Sequence, residues 1–197
     1  MAYAHNLNFR GSTNSAVTAS LGGTGFVTNS TFANSTQAAI VVSDGTMHVR
    51  NSFVGVQASV PAISMSSGTL DIAYSTIIGG TSLNSPGISC TGGSGNVRNS
   101  IILTSGNAAE INNCAGLNTS EGAFLEADAP AAFNELSTWF VDVPNADFHL
   151  TGTPANVFDA IATFATWNTG DPTTDIDGDP RMSTDGTMDF VGADAVP

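Results

Sequence analysis

Apolar residues in this chain recur at a long, fixed interval. One series advances in steps of 23, 23, 25 and 23 residues and contains Val17, Ile40, Ile63, Ile88 and Ile111. A repeat of this length is one supersecondary unit that cannot close its own core, so each unit must stack on its neighbour. The interval therefore predicts a solenoid.

A second series, of mostly polar residues, has the same period. It contains Asn6, Asn29, Asn51, Tyr74 and Asn99, with steps of 23, 22, 23 and 25. In three repeats the Asn begins an Asn-Ser pair, and in most it follows a Val or Ile by two positions. A third feature marks the entry to each repeat: Gly23-Thr24, Gly45-Thr46, Gly68-Thr69 and Gly93-Ser94. These residue types form short strands and tight turns rather than helices.

The three series predict an all-β fold, a right-handed parallel β-helix with coils of about 23 residues. Corresponding strands would pair in parallel at about 4.8 Å. Alternation then directs Val27, Val49, Ile72 and Val97 inward and Thr28, Arg50, Ala73 and Arg98 outward. We expect the Asn series to form an inward ladder at a corner, its amides bonding to one another and to turn backbone, with Tyr74 as an interruption. The alternative is that these residues only form turns.

The period decays near residue 115. We therefore expect regular coils over 1–115, and terminal coils with an irregular acidic C-terminal cap over 116–197, in one structural domain. A short helix is predicted near Asp128–Leu136. At the other end, Asn6 and Phe9 are in register with Asn29 and Phe32, so the chain is expected to begin inside the solenoid. Missing coils or end-to-end self-association would cover such an end.

The net charge of the chain excludes some classes of binding partner. The chain has no lysine and a net charge of −13, and residues 110–197 contain fifteen of its 17 acids. So few cations cannot support binding to nucleic acid or attraction to anionic lipid, whereas divalent cations would be attracted. No apolar run is long enough to insert in a membrane. We expect an extracellular or cell-surface protein.

Two C-terminal motifs resemble a known group. They are Asp147-Phe148-His149-Leu150 with the following Thr153-Pro154-Ala155, and Asp175-Ile176-Asp177-Gly178-Asp179-Pro180-Arg181 with Asp189–Asp194. Together with the Asn-Ser coils, they resemble right-handed parallel β-helix repeat proteins of the pectin-lyase-like superfamily, particularly bacterial surface proteins. Ala195 departs from the Glu usual there. The resemblance implies a structural, adhesive or self-assembly role, with a glycan or another surface protein as partner.

The alternative function is a carbohydrate-binding or polysaccharide-degrading domain. Lyases on this fold need a cationic base beside acidic residues, and hydrolases need paired carboxylates. Register places Asp71 beside His48, which could form an acid/base pair. No nucleophile, third group or lysine accompanies the pair, so a surface ion pair is the favoured interpretation. We therefore expect a non-enzymatic module with no required cofactor.

The densest carboxylates are Asp175, Asp177 and Asp179, next to Gly178. Alternate Asp residues on a tight turn resemble half of a calcium loop, although the Glu that usually completes such a loop is replaced by Gly186. Calcium is one interpretation, and a solvated cap in which Asp side chains bond to turn backbone is the other.

The two cysteines are predicted to form a disulfide. The period places Cys90 opposite Asn113 in the next coil, so Cys114 lies one residue out of register, at a separation that a bridge can span. Such a bond fits an oxidising, extracellular environment.

Overall fold

The computed structural model describes residues 1–57, 59–80, 85–104, 108–128, 136–153 and 155–196. It confirms the parallel β-helix, with about five coils at a spacing of about 23 residues. The first two coils contain β1 (Ala2–His5), β2 (Asn8–Arg10), β3 (Val17–Ser20), β4 (Thr24–Thr28), β5 (Thr31–Ser35) and β6 (Ile40–Ser43). The next two contain β7 (Thr46–Arg50), β8 (Phe53–Val56), β9 (Ile63–Met65), β10 (Thr69–Ala73), β11 (Thr76–Ile78) and β12 (Ile88–Cys90). The fifth contains β13 (Ser94–Leu103) and β14 (Ile111–Asn112), and β15 (Leu117–Phe124) follows.

Strands at the same position in successive coils form three faces. The first face contains β1, β4, β7, β10 and the first half of β13, and β15 extends from this face to the second, because it pairs with both halves of β13. The second contains β2, β5, β8, β11 and the second half of β13, and the third contains β3, β6, β9, β12 and β14. Pairing is parallel throughout these faces, because each coil returns the chain to the same edge of its neighbour.

The interior is a single column of apolar layers. The predicted register is observed, since Ile63 pairs with Ile40 on one side and with Ile88 on the other. Val27, Val49 and Val97 are fully buried and Ile72 nearly so, which confirms their inward direction. The coils therefore share one continuous core.

The Asn positions lie at the corner between the first and second faces, as predicted, but not as an inward ladder. All five residues have left-handed backbone, with φ between 48 and 52°, a conformation that Asn tolerates better than other non-glycine residues. The amides of Asn51 and Asn99 bond outward, to the carbonyls of Thr174 and Thr166. The expectation of amides bonding to one another was wrong, because the left-handed corner turns these side chains away from the interior.

The neighbouring serines form the polar ladder instead. The hydroxyl of Ser52 donates to the carbonyl of Arg50 and accepts from the N–H of Ser30, at 2.8 and 3.1 Å. Ser75 and Ser100 repeat this pattern in the following coils. The hydroxyls of Ser52, Ser75 and Ser100 are thereby hydrogen-bonded within their own coil and across the coil boundary.

The C-terminal region lies along the side of the solenoid, whereas an end cap was expected. After a 3₁₀ turn at Glu126–Asp128 it contains α1 (Leu136–Trp139), β16 (Phe140–Asp142), a 3₁₀ turn at Val143–Asn145, β17 (Asp147–Leu150), α2 (Ala155–Phe164), β18 (Ala165–Trp167) and β19 (Thr187–Asp189). β16 pairs antiparallel with β17, and β18 with β19. We call residues 136–153 and 155–196 the strap. Most of the helix predicted near Asp128–Leu136 falls outside the described residues.

A second hydrophobic core joins the strap to the outside of the second face. Phe53, Ile78, Ile101 and Phe124 project outward from that face and pack against strap residues. These partners include Trp139, Phe140, Phe148, Val157, Ile161, Trp167 and Val191. Burial of these outward side chains fixes the strap to the solenoid.

Cys90 and Cys114 form the predicted disulfide, with a Cα–Cα distance of 4.9 Å. It joins the end of β12 to the segment after β14 and so links the last two coils. Among the described residues, no helix is both long and apolar enough to cross a membrane.

Candidate functional site

One outward column of the first face combines rings, charge and amides. In-register pairing aligns Tyr3, Phe26, His48, Asp71, Asn96 and Asn118. The rings of Tyr3 and Phe26 stack at 5.0 Å, and those of Phe26 and His48 at 4.9 Å. Because the faces of these rings are turned toward one another, their edges point to solvent. The column is therefore not a flat aromatic platform for a sugar ring.

His48 and Asp71 lie side by side, as the sequence predicted. His48 Nδ1 is 3.5 Å from Asp71 Oδ2, and the two side chains are 26% and 34% exposed. The other carboxylate oxygen of Asp71 accepts a hydrogen bond from the side-chain amide of Asn96. The side-chain oxygen of Asn96 in turn accepts one from the side-chain amide of Asn118. This chain of contacts runs along the surface and orders the polar end of the column.

The next outward column contains the arginines of the face. Arg98 forms a bidentate pair with Asp171, a strap residue whose side chain is almost fully buried. The hydrogen bond to Asp171 raises the pKa of Arg98, although burial acts in the opposite direction. Arg50 donates to the carbonyl of Gly170. Both arginines are thus engaged by the strap, and Arg98 is held in its charged form.

Two adjoining concavities form a polar groove along the first face, and one of them extends to the strap. One concavity of about 270 Å³ is lined by His48, Arg50, Asp71, Ile72, Ala73, Asn96, Arg98 and Glu121. A second, of about 490 Å³, is lined by Arg98, Asn99, Thr119, Ser120, Glu121, Gly122, Ala123, Phe164, Thr166 and Asn168. They adjoin because Arg98 and Glu121 line both. Hydrogen-bonding groups dominate the lining, and Phe164 supplies an aromatic ring at one end.

Tyr74, the interruption in the Asn series, marks a buried charged cluster. Its ring lies beneath the guanidinium of Arg181, 4.6 Å from the ring centre. Arg181 also donates to the carbonyls of Phe190 and Gly192 and lies 3.7 Å from Asp189. Burial raises the pKa of Tyr74 and lowers that of Arg181, and it raises the pKa of Asp189 in spite of the nearby Arg181. This cluster holds the strap on the corner.

The three predicted calcium ligands are not gathered around one point. Asp175 is fully buried. One of its oxygens accepts from the N–H groups of Asp177 and Asp179, at 2.9 Å each, and the other accepts from Ala195. Asp179 is exposed. Asp175 thus closes the turn at residues 175–179, and the carboxylate of Asp177 lies beside His149 instead of beside Asp175.

Asp177 meets a histidine that the sequence analysis placed only in a motif. His149 Nε2 lies 2.7 Å from Asp177 Oδ2, and Asp194 completes a group whose ligating atoms all lie within 4.8 Å of one another. His149 Nδ1 bonds to Asp147. Burial alone would lower the pKa of His149, but the three surrounding carboxylates outweigh it and raise that pKa. Both C-terminal motifs contribute to this cluster, a link that only the folded chain reveals.

Comparison with known proteins gives no further constraint. No protein family, no curated protein and no solved structure matches this chain.

Proposed function

We propose that this chain is a non-enzymatic module of a secreted or cell-surface protein, and that its polar groove binds a glycan. The groove on the first face, which extends to the strap at one end, supports this proposal most directly. It is elongated, because two adjoining concavities share Arg98 and Glu121, and amide, carboxylate, guanidinium and hydroxyl groups line it. Such groups match the hydroxyls of a sugar chain, and Phe164 offers an apolar contact at one end.

The charge of the protein favours a neutral glycan. The chain carries a net charge of −13, and Asp171 neutralises the most buried arginine of the groove. The net charge would therefore repel an acidic polysaccharide. A neutral oligosaccharide would avoid this repulsion and bind through hydrogen bonds and the apolar contact with Phe164.

Several features support binding rather than turnover. Arg98 cannot act as a base, because its pair with Asp171 raises its pKa. The His48–Asp71 pair lies on an open surface, where ion pairs are usually only structural. The resemblance of the two C-terminal motifs to bacterial surface proteins and the disulfide, which is compatible with an extracellular location, favour the same proposal.

A glycan array followed by calorimetry with the best neutral ligand tests this function. Replacing Glu121 or Asn96 by Ala should weaken binding about 5–10-fold, the effect of one lost hydrogen bond. Ser64→Ala, on the outward side of the third face, is the matched control and should leave affinity unchanged. Equal affinity of all three variants would place the ligand elsewhere.

The same preparation should be assayed for release of reducing ends and of unsaturated sugars. Turnover of any polysaccharide would favour the alternative, a polysaccharide-degrading domain, and His48→Ala would then test the only histidine–carboxylate pair that borders the described groove.

A further inference from the structure

We propose that His149, Asp177 and Asp194 bind a divalent transition-metal ion, such as Zn²⁺ or Mn²⁺. Three separate segments supply these residues. His149 lies on β17, Asp177 in the turn closed by Asp175, and Asp194 beyond β19. One potential ligating atom from each lies within 4.8 Å of the other two. This spacing allows a single ion to contact all three.

The orientation of His149 fits a ligand. Its Nδ1 bonds to the carboxylate of Asp147, which fixes the ring and leaves Nε2 facing the cluster. Metal-binding histidines are typically held in this way, by a carboxylate on the nitrogen that does not bind the metal. Nε2 is buried and makes no hydrogen bond of normal geometry, although Asp177 Oδ2 is only 2.7 Å away. The nitrogen and the oxygen thus lie side by side rather than aimed at each other.

The local charge also favours a cation. Asp147, Asp177 and Asp194 surround one histidine, so negative charge remains even when His149 is protonated. Asp194 is only 7% exposed and accepts one hydrogen bond, from the N–H of Leu150. A buried carboxylate is costly unless it is paired or coordinates a metal. A divalent ion would supply the missing charge.

The donor set determines the type of ion. An imidazole nitrogen with two carboxylates suits zinc or manganese, whereas calcium takes oxygen ligands almost exclusively. Asp177 is 53% exposed, which leaves a path for the ion and room for water to complete its coordination. Bound there, the ion would link three segments of the strap.

Titration of chelator-treated, full-length protein tests the site. Zn²⁺ and Mn²⁺ should each bind with one equivalent by calorimetry and raise the melting temperature with concentration. Co²⁺ should give a visible absorption spectrum typical of nitrogen coordination. His149→Gln and Asp177→Asn should each lower affinity at least 10-fold. Asp147→Asn, which changes only a positioning residue, should lower it about 10–100-fold.

Two exposed carboxylates of the strap that lie outside the cluster provide controls. Asp179→Asn and Asp185→Asn should bind Zn²⁺ like the wild type. Because Asp177 is exposed, its variant tests the proposal even if His149→Gln fails to fold. The proposal is overturned if no ion binds at millimolar concentration, or if His149→Gln binds as tightly as wild type. Selective Ca²⁺ uptake that depends on Asp179 would also overturn it, in favour of a calcium loop.

Discussion

At the residue scale, Arg181 shows how this acidic chain uses one of its few cations. Arg181 is almost fully buried, stacks on Tyr74, donates to two backbone carbonyls and lies near Asp189. Removing one member of a buried charge pair leaves the other uncompensated, which costs far more than the pair itself contributes. The bulky Tyr74 at a left-handed corner is accommodated because the same guanidinium covers its ring.

We therefore predict that Arg181→Met lowers the free energy of unfolding by about 3–5 kcal/mol, measured by urea denaturation. Arg10→Ala should change it by only about 0.5 kcal/mol, because that arginine is exposed. The double variant Arg181→Met/Asp189→Asn should recover part of the loss, since it also removes the unpaired carboxylate. Equal losses in Arg181→Met and Arg10→Ala would show that the cluster does not stabilise the fold.

At the element scale, strand register depends on the repeat, and so it could be predicted. The Ile40, Ile63 and Ile88 column and the His48–Asp71 contact follow directly from a period of 22–25 residues. The serine ladder was missed because Asn and Ser are both polar turn residues, and only the left-handed φ of the corner decides which one points inward.

The strap could be predicted only in part. Phe53-Val54 and Ile101-Ile102 are consecutive apolar residues, a pattern that indicates strands covered on both sides and therefore an external layer. All four residues are buried in the structure. The identity of that layer does not follow from any period, because Phe148 and Trp139 lie outside the repeats. The His149 cluster likewise joins segments that are distant in sequence, so neither motif alone indicates it.

Substitutions at inward and outward positions should differ sharply in their effect on the free energy of unfolding. We predict that Ile63→Ala lowers the free energy of unfolding by about 2–5 kcal/mol, because it opens a cavity in the fully buried interior. Arg50→Ala should cost about 0.5 kcal/mol, since its side chain is exposed and makes a long bond to Gly170. Thermal and urea unfolding of both variants measure this, and similar shifts would contradict the assigned directions.

At the scale of the whole molecule, the disulfide secures the end of the solenoid opposite β1. Cys90 and Cys114 are 24 positions apart, and closing a loop of this length stabilises the folded state by roughly 3–3.5 kcal/mol in the chain-entropy model. We predict that a reducing agent lowers the melting temperature of wild type but not of Cys114→Ser. Two free thiols after alkylation without reductant would show that the bond does not form.

The strap also restricts how many coils can lie between Arg50 and Arg98. Repeat proteins commonly lengthen by duplicating a unit, because each repeat contacts only its neighbours. Here Arg50 and Arg98 lie two coils apart, yet they bind Gly170 and Asp171, which are adjacent in sequence. One inserted coil would separate the two arginines by a further 4.8 Å or so, beyond the reach of those partners. A duplication between these coils would therefore need a matching insertion near residue 170 to preserve both contacts.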